Sequence, residues 1–211
     1  SKRNYLKSIK ILKEKTFDEK FVWEKCADKT DEELVALTKK NTRYYSCLIN
    51  RYEEKIKRYV LRISGVEKET LEDIVQEIFL KVYVNLNSFN QELKFSSWLY
   101  RIAHNETISH WRRNKSSKNR SVSFDELDFL KSILGDGKSM EEGVYMKIDG
   151  ERAVGALEKL DQKYRDVLVL AFLEDKSYQE IAEILKKPIG TVGTLISRAK
   201  KRLAEELEQK H

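Results

Sequence analysis

Apolar residues recur along this chain at intervals of three and four, and the most regular run occupies residues 71–86. Leu71, Ile74, Val75, Ile78, Phe79, Val82, Tyr83 and Leu86 fall on one stripe when wound at 3.6 residues per turn, with Asp73, Gln76, Glu77 and Lys81 opposite. The same period predicts a helix over residues 44–63, with Leu48, Ile49, Tyr52, Ile56, Tyr59 and Val60 inward and Gly65 as its stop. Thr30 and Glu33 have the spacing of a capping box and predict a helix start within residues 28–39. Residues 87–94, rich in Asn, Ser and Gln, read as a loop, and residues 95–114 as the next helix.

The pattern then breaks. Residues 116–150 hold four of the eight glycines among serines and acids, with no lasting amphipathic face, and predict a flexible linker with at most a helical turn near residues 124–134. Periodicity resumes with Ala153, Ala156, Leu157 and Leu160, then with Val167, Leu168, Leu170 and Ala171 in a helix starting at Asp161. Ser177 and Glu180 make a second capping box ahead of Tyr178, Ile181, Ala182 and Leu185. Pro188 sits in a tight turn, and a last helix from Ile189 should bury Val192, Ile196, Ala199 and Leu203. Two short helices joined by such a turn predict a helix-turn-helix, whose second helix enters the major groove of DNA. The fold class is therefore all-α: two small helical domains joined by a flexible linker, the C-terminal one a helix-turn-helix.

Charge sharpens this picture. The chain has 211 residues and a formal net charge of +6, but the distribution says more than the total. Residues 101–120 carry six basic side chains and one acid, and residues 186–202 carry six and none. Residues 121–151, between them, carry eight acids and three lysines. Two basic blocks around an acidic stretch suggest two nucleic-acid footprints joined by a linker. Phe89, Phe95, Trp98, Tyr100 and Trp111 lie among Arg101, Asn105, Arg112 and Arg113. Rings for stacking beside cations for phosphate suit unpaired bases.

Other classes find less support. Cys26 and Cys47 are the only cysteines and have no metal-ligand spacing, which predicts idle free thiols in a reducing cytosol. His104 and His110 lie six apart, off one helical face, and nothing completes a metal or nucleophile site. No cofactor, small-molecule substrate or catalysis is expected. No apolar run approaches the ~18 residues needed to span a bilayer and no signal peptide is visible, so a soluble cytoplasmic protein is expected. The chain begins at Ser1, which points to a processed or trimmed start, and residues 1–27 form a basic N-terminal extension containing Tyr5, Leu6, Ile9, Phe17, Phe21 and Trp23.

Taken together, these motifs resemble a bacterial RNA polymerase sigma factor of the sigma-70 family, extracytoplasmic-function type. The likeness rests on Asp73-Ile-Val-Gln-Glu-Ile-Phe-Leu-Lys-Val-Tyr83, on Phe95-Ser-Ser-Trp-Leu-Tyr-Arg-Ile-Ala-His-Asn105, and on Ser177-Tyr-Gln-Glu-Ile-Ala with Ile189-Gly-Thr-Val. It implies sigma region 2 over residues 28–116, a linker over 117–150 and region 4 over 151–211. It implies core RNA polymerase and promoter DNA as partners, with an anti-sigma protein as a further candidate. By the same resemblance Asp73, Gln76, Glu77 and Leu80 would dock on the polymerase. The loop over residues 88–94, with Ser88, Phe89 and Asn90, and the helix residue Asn105 would form the pocket for a base flipped from the minus-ten element. Trp98, Arg101, Asn105 and Arg112 share one helical face, on which Trp98 reads as largely core and Arg101 and Asn105 carry more of the function. Arg112, Arg113 and Lys115 would hold phosphates. Thr191, Thr194, Ser197, Arg198 and Lys201 would face duplex DNA at the minus-thirty-five element.

The chain departs from the family pattern at Gly193 and Leu195, where basic residues are common, so the grip on duplex DNA is expected from Arg198, Lys200, Lys201 and Arg202. Two other readings compete. A helix-turn-helix regulator that does not bind core polymerase would explain residues 177–202 but not residues 71–113. A nuclease would need clustered acids beside a basic groove, and the acids here fall on helix surfaces or in the linker.

Overall fold

A computed structural model describes residues 24–113, 155–157 and 159–208. The expected linker, its helical turn near residues 124–134, and most of the N-terminal extension lie outside the described residues. The chain divides into two compact units, residues 1–119 and 120–211.

Among the described residues the first unit packs α1 (Asp31–Lys40), α2 (Tyr45–Ser64), α3 (Lys68–Asn85) and α4 (Phe95–Arg113) into a helical bundle. The capping box at the head of α1 is formed: Glu33 N–H donates to Thr30 Oγ1 at 3.2 Å and Thr30 N–H to Glu33 Oε2 at 2.7 Å. Gly65 closes α2 in the left-handed region, φ 61°, with its N–H on the Leu61 carbonyl, a conformation that costs glycine nothing. The predicted stripe of α3 is the core: Ile74, Val75, Ile78, Phe79 and Val82 are buried against α2 and α4. The Tyr45 hydroxyl donates to the Phe79 carbonyl, tying α2 to α3, and burial pushes its ionisation well above the ordinary tyrosine range.

Two contacts were not foreseen. Arg51 on α2 binds the chain entering α1, with Nη1 on Asp31 Oδ1 at 2.6 Å and Nη2 on the carbonyls of Lys29 and Cys26 at 2.9 and 3.2 Å. Beside it Cys26 and Cys47, expected as separate idle thiols, are joined as a disulfide with Cα atoms 5.9 Å apart. The cause is topological: the turn Thr42–Tyr44 after α1 sends the chain back into α2, which returns Cys47 beside Cys26.

In the second unit α5 (Gln162–Leu168) continues as a wider turn over Val169–Leu173, where Glu174 N–H reaches back five residues to the Val169 carbonyl at 3.1 Å. This widening was not predicted. It ends before α6 (Tyr178–Leu185), which starts on the predicted capping box: Glu180 N–H to Ser177 Oγ at 3.3 Å and Ser177 N–H to Glu180 Oε2 at 2.9 Å. The chain turns at Lys186 in the left-handed region, φ 51°, passes Pro188 and enters α7 (Ile189–Glu208). Val192, Ile196, Ala199 and Leu203 are buried as predicted, and α7 packs on α5. Arg165 is buried because its guanidinium satisfies free carbonyls of the preceding segment, Leu157 at 3.0 Å and Leu160 at 3.3 Å.

Candidate nucleic-acid interface

The apolar stripe of α3 fixes which side chains remain outside. Asp73, Gln76, Glu77 and Leu80 follow one another at spacings of three and four and form a single strip on the outer edge. Asp73 is exposed and the other three are half-buried. Lys81, expected beside them, instead pairs with Glu106 on α4 at 2.5 Å. That pair draws the basic head away from the strip and leaves it acidic and amide in character.

Helix α4 sorts its residues by depth. Phe95, Trp98, Leu99, Tyr100 and Ala103 are buried. Arg101 is half-buried, and Asn105, Arg112 and Arg113 are exposed. The reading of Trp98 as largely core is borne out, and Phe89, expected at the base, is buried with it, while Trp111 is half-buried. Phe89 and Trp98 are 4% and 7% exposed. Their rings lie 5.3 Å apart, and Phe95 packs on them at 5.7 and 5.9 Å. Tilted and edge-on rings at these distances are a favourable core arrangement, so opening it for a base would expose a large apolar area. Phe89 instead anchors the loop to the bundle.

The loop's polar residues hold its shape. Ser88 Oγ donates to the Asn85 carbonyl at 2.7 Å, and Asn90 Oδ1 accepts from Glu92 N–H at 3.1 Å. Ser88 and Asn90 are exposed on either side of Phe89. The loop ends at a cap supplied from α1: Glu32 Oε1 accepts from Phe95 N–H at 3.1 Å, setting a carboxylate at the positive end of α4. Glu32 is a positioning residue that sequence reasoning missed, because the partner lies 63 residues away.

On α7, Thr191, Thr194, Ser197, Arg198 and Lys201 are all exposed. Two of the four cations expected to grip DNA are engaged within the unit. Lys200 Nζ lies 4.6 Å from the centre of the Phe172 ring, and Arg202 pairs with Glu205 at 3.5 Å. Thr194 Oγ1 donates to the Gly190 carbonyl at 2.9 Å. Beneath the turn, burial raises the Asp166 carboxyl to about 7, partly opposed by its hydrogen bond from Gln162 and by Arg165 and Lys187. Among the described residues no group of three or more His, Cys, Asp or Glu side chains is placed to hold a metal ion, and no helix is long and apolar enough to cross a membrane.

Comparison with known proteins agrees in both units. The family described as Sigma-70 region 2 matches residues 48–117, and the one described as Sigma-70, region 4 matches residues 151–203. The ECF RNA polymerase sigma factor SigW of Bacillus subtilis (strain 168) is 37% identical over 166 residues, covering 77% of this chain and 88% of that protein. The ECF RNA polymerase sigma-E factor of Escherichia coli (strain K12) is 31% identical over 188 residues, covering 85% and 95%. Among solved structures, CnrH in complex with the cytosolic domain of CnrY has a TM-score of 0.63 at 22% identity, covering 86% of this chain and 99% of that one. RpoE in complex with the anti-sigma factor NepR, from Bartonella quintana, has 0.58 at 22%, covering 79% and 98%. These two likenesses show a shared fold.

Proposed function

The chain belongs to the extracytoplasmic-function RNA polymerase sigma factors, and on that premise we propose how its surfaces divide the work of initiation. The strip Asp73, Gln76, Glu77 and Leu80 docks on core RNA polymerase. The observation that carries this is the strip itself: a continuous acidic and amide edge backed by a fully buried stripe, so the partner meets a rigid surface. A stand-alone helix-turn-helix regulator would leave that edge without a task.

Once docked, the first unit assists melting. In this reading Asn105 presents an amide donor and acceptor beside Arg101, and Ser88 and Asn90, exposed in the loop before α4, join them at the base. Together they receive one extruded base of the minus-ten element, whose unstacking costs a few kcal/mol that hydrogen bonds and stacking offset. Phe89 and Trp98 act by holding the loop and α4 in register. Arg112 and Arg113 hold phosphates. Thr191, Thr194, Ser197, Arg198 and Lys201 on α7 face duplex DNA upstream. The work is binding rather than bond-making, and its setting is the cytoplasm. RpoE of Bartonella quintana was solved with an anti-sigma factor, and the same class of partner is proposed for this chain.

Reversing Asp73 and Glu77 together to lysine tests the docking. Both lie away from the core, so far-UV circular dichroism should be unchanged while affinity for purified core polymerase falls about 10- to 100-fold and run-off transcription is lost. Wild-type affinity in the double variant would overturn the docking assignment.

A further inference from the structure

Among the described residues three large apolar side chains are strongly exposed, and two of them, Tyr178 (49%) and Ile189 (51%), stand on the helix-turn-helix. Gly193 joins them. Ile189 and Gly193 are four apart on α7 and so are neighbours on its surface. A Cβ built on Gly193 would lie 3.7 Å from Tyr178 Cε2 and 3.9 Å from Cδ2. The edge of the tyrosine ring, carried by the head of α6, therefore faces Gly193 of α7 across a gap about as wide as a methyl group.

Nothing in the fold demands glycine there. The backbone at 193 is ordinary helix, and 3.7 Å is normal van der Waals spacing, so a methyl group would fit. In a helix interior glycine costs up to about 1 kcal/mol relative to alanine. What glycine does provide is an uncovered ring edge, because a long side chain at 193 would stand against Cδ2 and Cε2. Next along the same row Ser197 is neutral and Lys200 is drawn back over Phe172, so the nearest projecting charges are Lys201, two turns beyond Gly193, and Lys186 and Lys187 ahead of the helix. The result is a continuous apolar surface of ring, bare backbone and branched alkyl chain at the end of α7 that leads into the groove.

We propose that Tyr178, Ile189 and Gly193 are specificity-determining and recognise thymine through its C5-methyl group in the major groove of upstream promoter DNA. This rests on the reading of α7 as the duplex-facing helix. The thymine methyl is the apolar feature of a base edge in that groove, and it is what an uncharged, water-exposed apolar surface can select. Arg198 and Lys201, further along α7, supply phosphate contacts that carry no sequence information.

Deoxyuridine tests this directly, since it removes the methyl and leaves the pairing intact. The probe is a promoter duplex selected by the reconstituted holoenzyme from a randomised pool, with each upstream thymidine replaced singly by deoxyuridine. The wild-type holoenzyme should bind about three- to five-fold more weakly at one or two positions. Ile189→Ala and Tyr178→Ala should bind the thymidine duplex more weakly and respond less than about 1.5-fold to the replacement. Gly193→Lys, which covers the ring, should also lose the response while its affinity becomes more salt-dependent. Ile189→Val should keep it. If the holoenzyme selects an upstream sequence but every deoxyuridine replacement is neutral, the methyl reading is wrong and the role of α7 stands. If no upstream sequence is selected at all, the duplex-reading role of α7 falls, and this inference with it.

Discussion

Asp166 makes the stability of the helix-turn-helix unit depend on pH in a direction opposite to that of most carboxylates. It is 6% exposed, and burial raises its carboxyl from 3.8 to about 7 despite Gln162, Arg165 and Lys187. A folded-state value above the unfolded one means that the folded chain holds the proton more tightly. The associated stability is fully present below about pH 4 and is lost as pH rises through 7. Each tenfold change in proton affinity is worth about 1.4 kcal/mol, so the shift corresponds to about 4 kcal/mol at most. Asp166→Asn removes the titration while keeping a carbonyl to accept the Gln162 Nε2 hydrogen bond, now 2.7 Å long. The variant should match the wild type only below about pH 4, exceed it by about 1.5–2 kcal/mol at pH 5 and by about 4 kcal/mol at pH 8. Urea unfolding of both full-length chains at pH 5, 6, 7 and 8, with hydrogen exchange of α5 and α7 amides to localise the effect, measures the difference. Parallel wild-type and variant profiles would refute the reasoning, because they would mean that no proton is held more tightly in the folded state.

Replacing Asn105 by Ala should impair open-complex formation and relax preference at one promoter position by about 1–3 kcal/mol; permanganate footprinting on linear and premelted templates reads both effects. Normal melting with unchanged preference would remove Asn105 from the base site. Arg198→Ala should lower the slope of log affinity against log salt by about one for duplex DNA, uniformly across sequences, as a filter-binding titration would show. The Cys26–Cys47 link closes a loop of sequence separation 21, so the oxidised chain should be about 3 kcal/mol more stable to urea than the reduced chain or Cys47→Ser. Equal midpoints in the two states would mean that the link constrains nothing.

Most of the helices could be read directly from the chain. The core stripe of α3, the stop at Gly65, the two capping boxes and the buried side of α7 are all set by residues within a few positions of one another. Helical periodicity and end-capping are local physics, so spacing alone carries them. The outward residues of α3 and α7 follow from the same periodicity, which is why the strip at Asp73–Leu80 and the row Thr191, Thr194, Ser197, Arg198 and Lys201 were legible.

The contacts between elements were not. Whether Phe89 and Trp98 stack on a base or on each other depends on where the loop meets α4, and composition is the same in either case. The disulfide, the Lys81–Glu106 pair, the Glu32 cap on α4 and the Tyr178 ring against Gly193 each join residues whose separation has no helical meaning. Asp166 reads in sequence as one more acid on an amphipathic helix, and only packing makes it a buried proton carrier. Side-chain order within a helix is a property of one strand of chain, whereas burial and pairing are properties of helix crossings. Those crossings are chosen by the whole core at once.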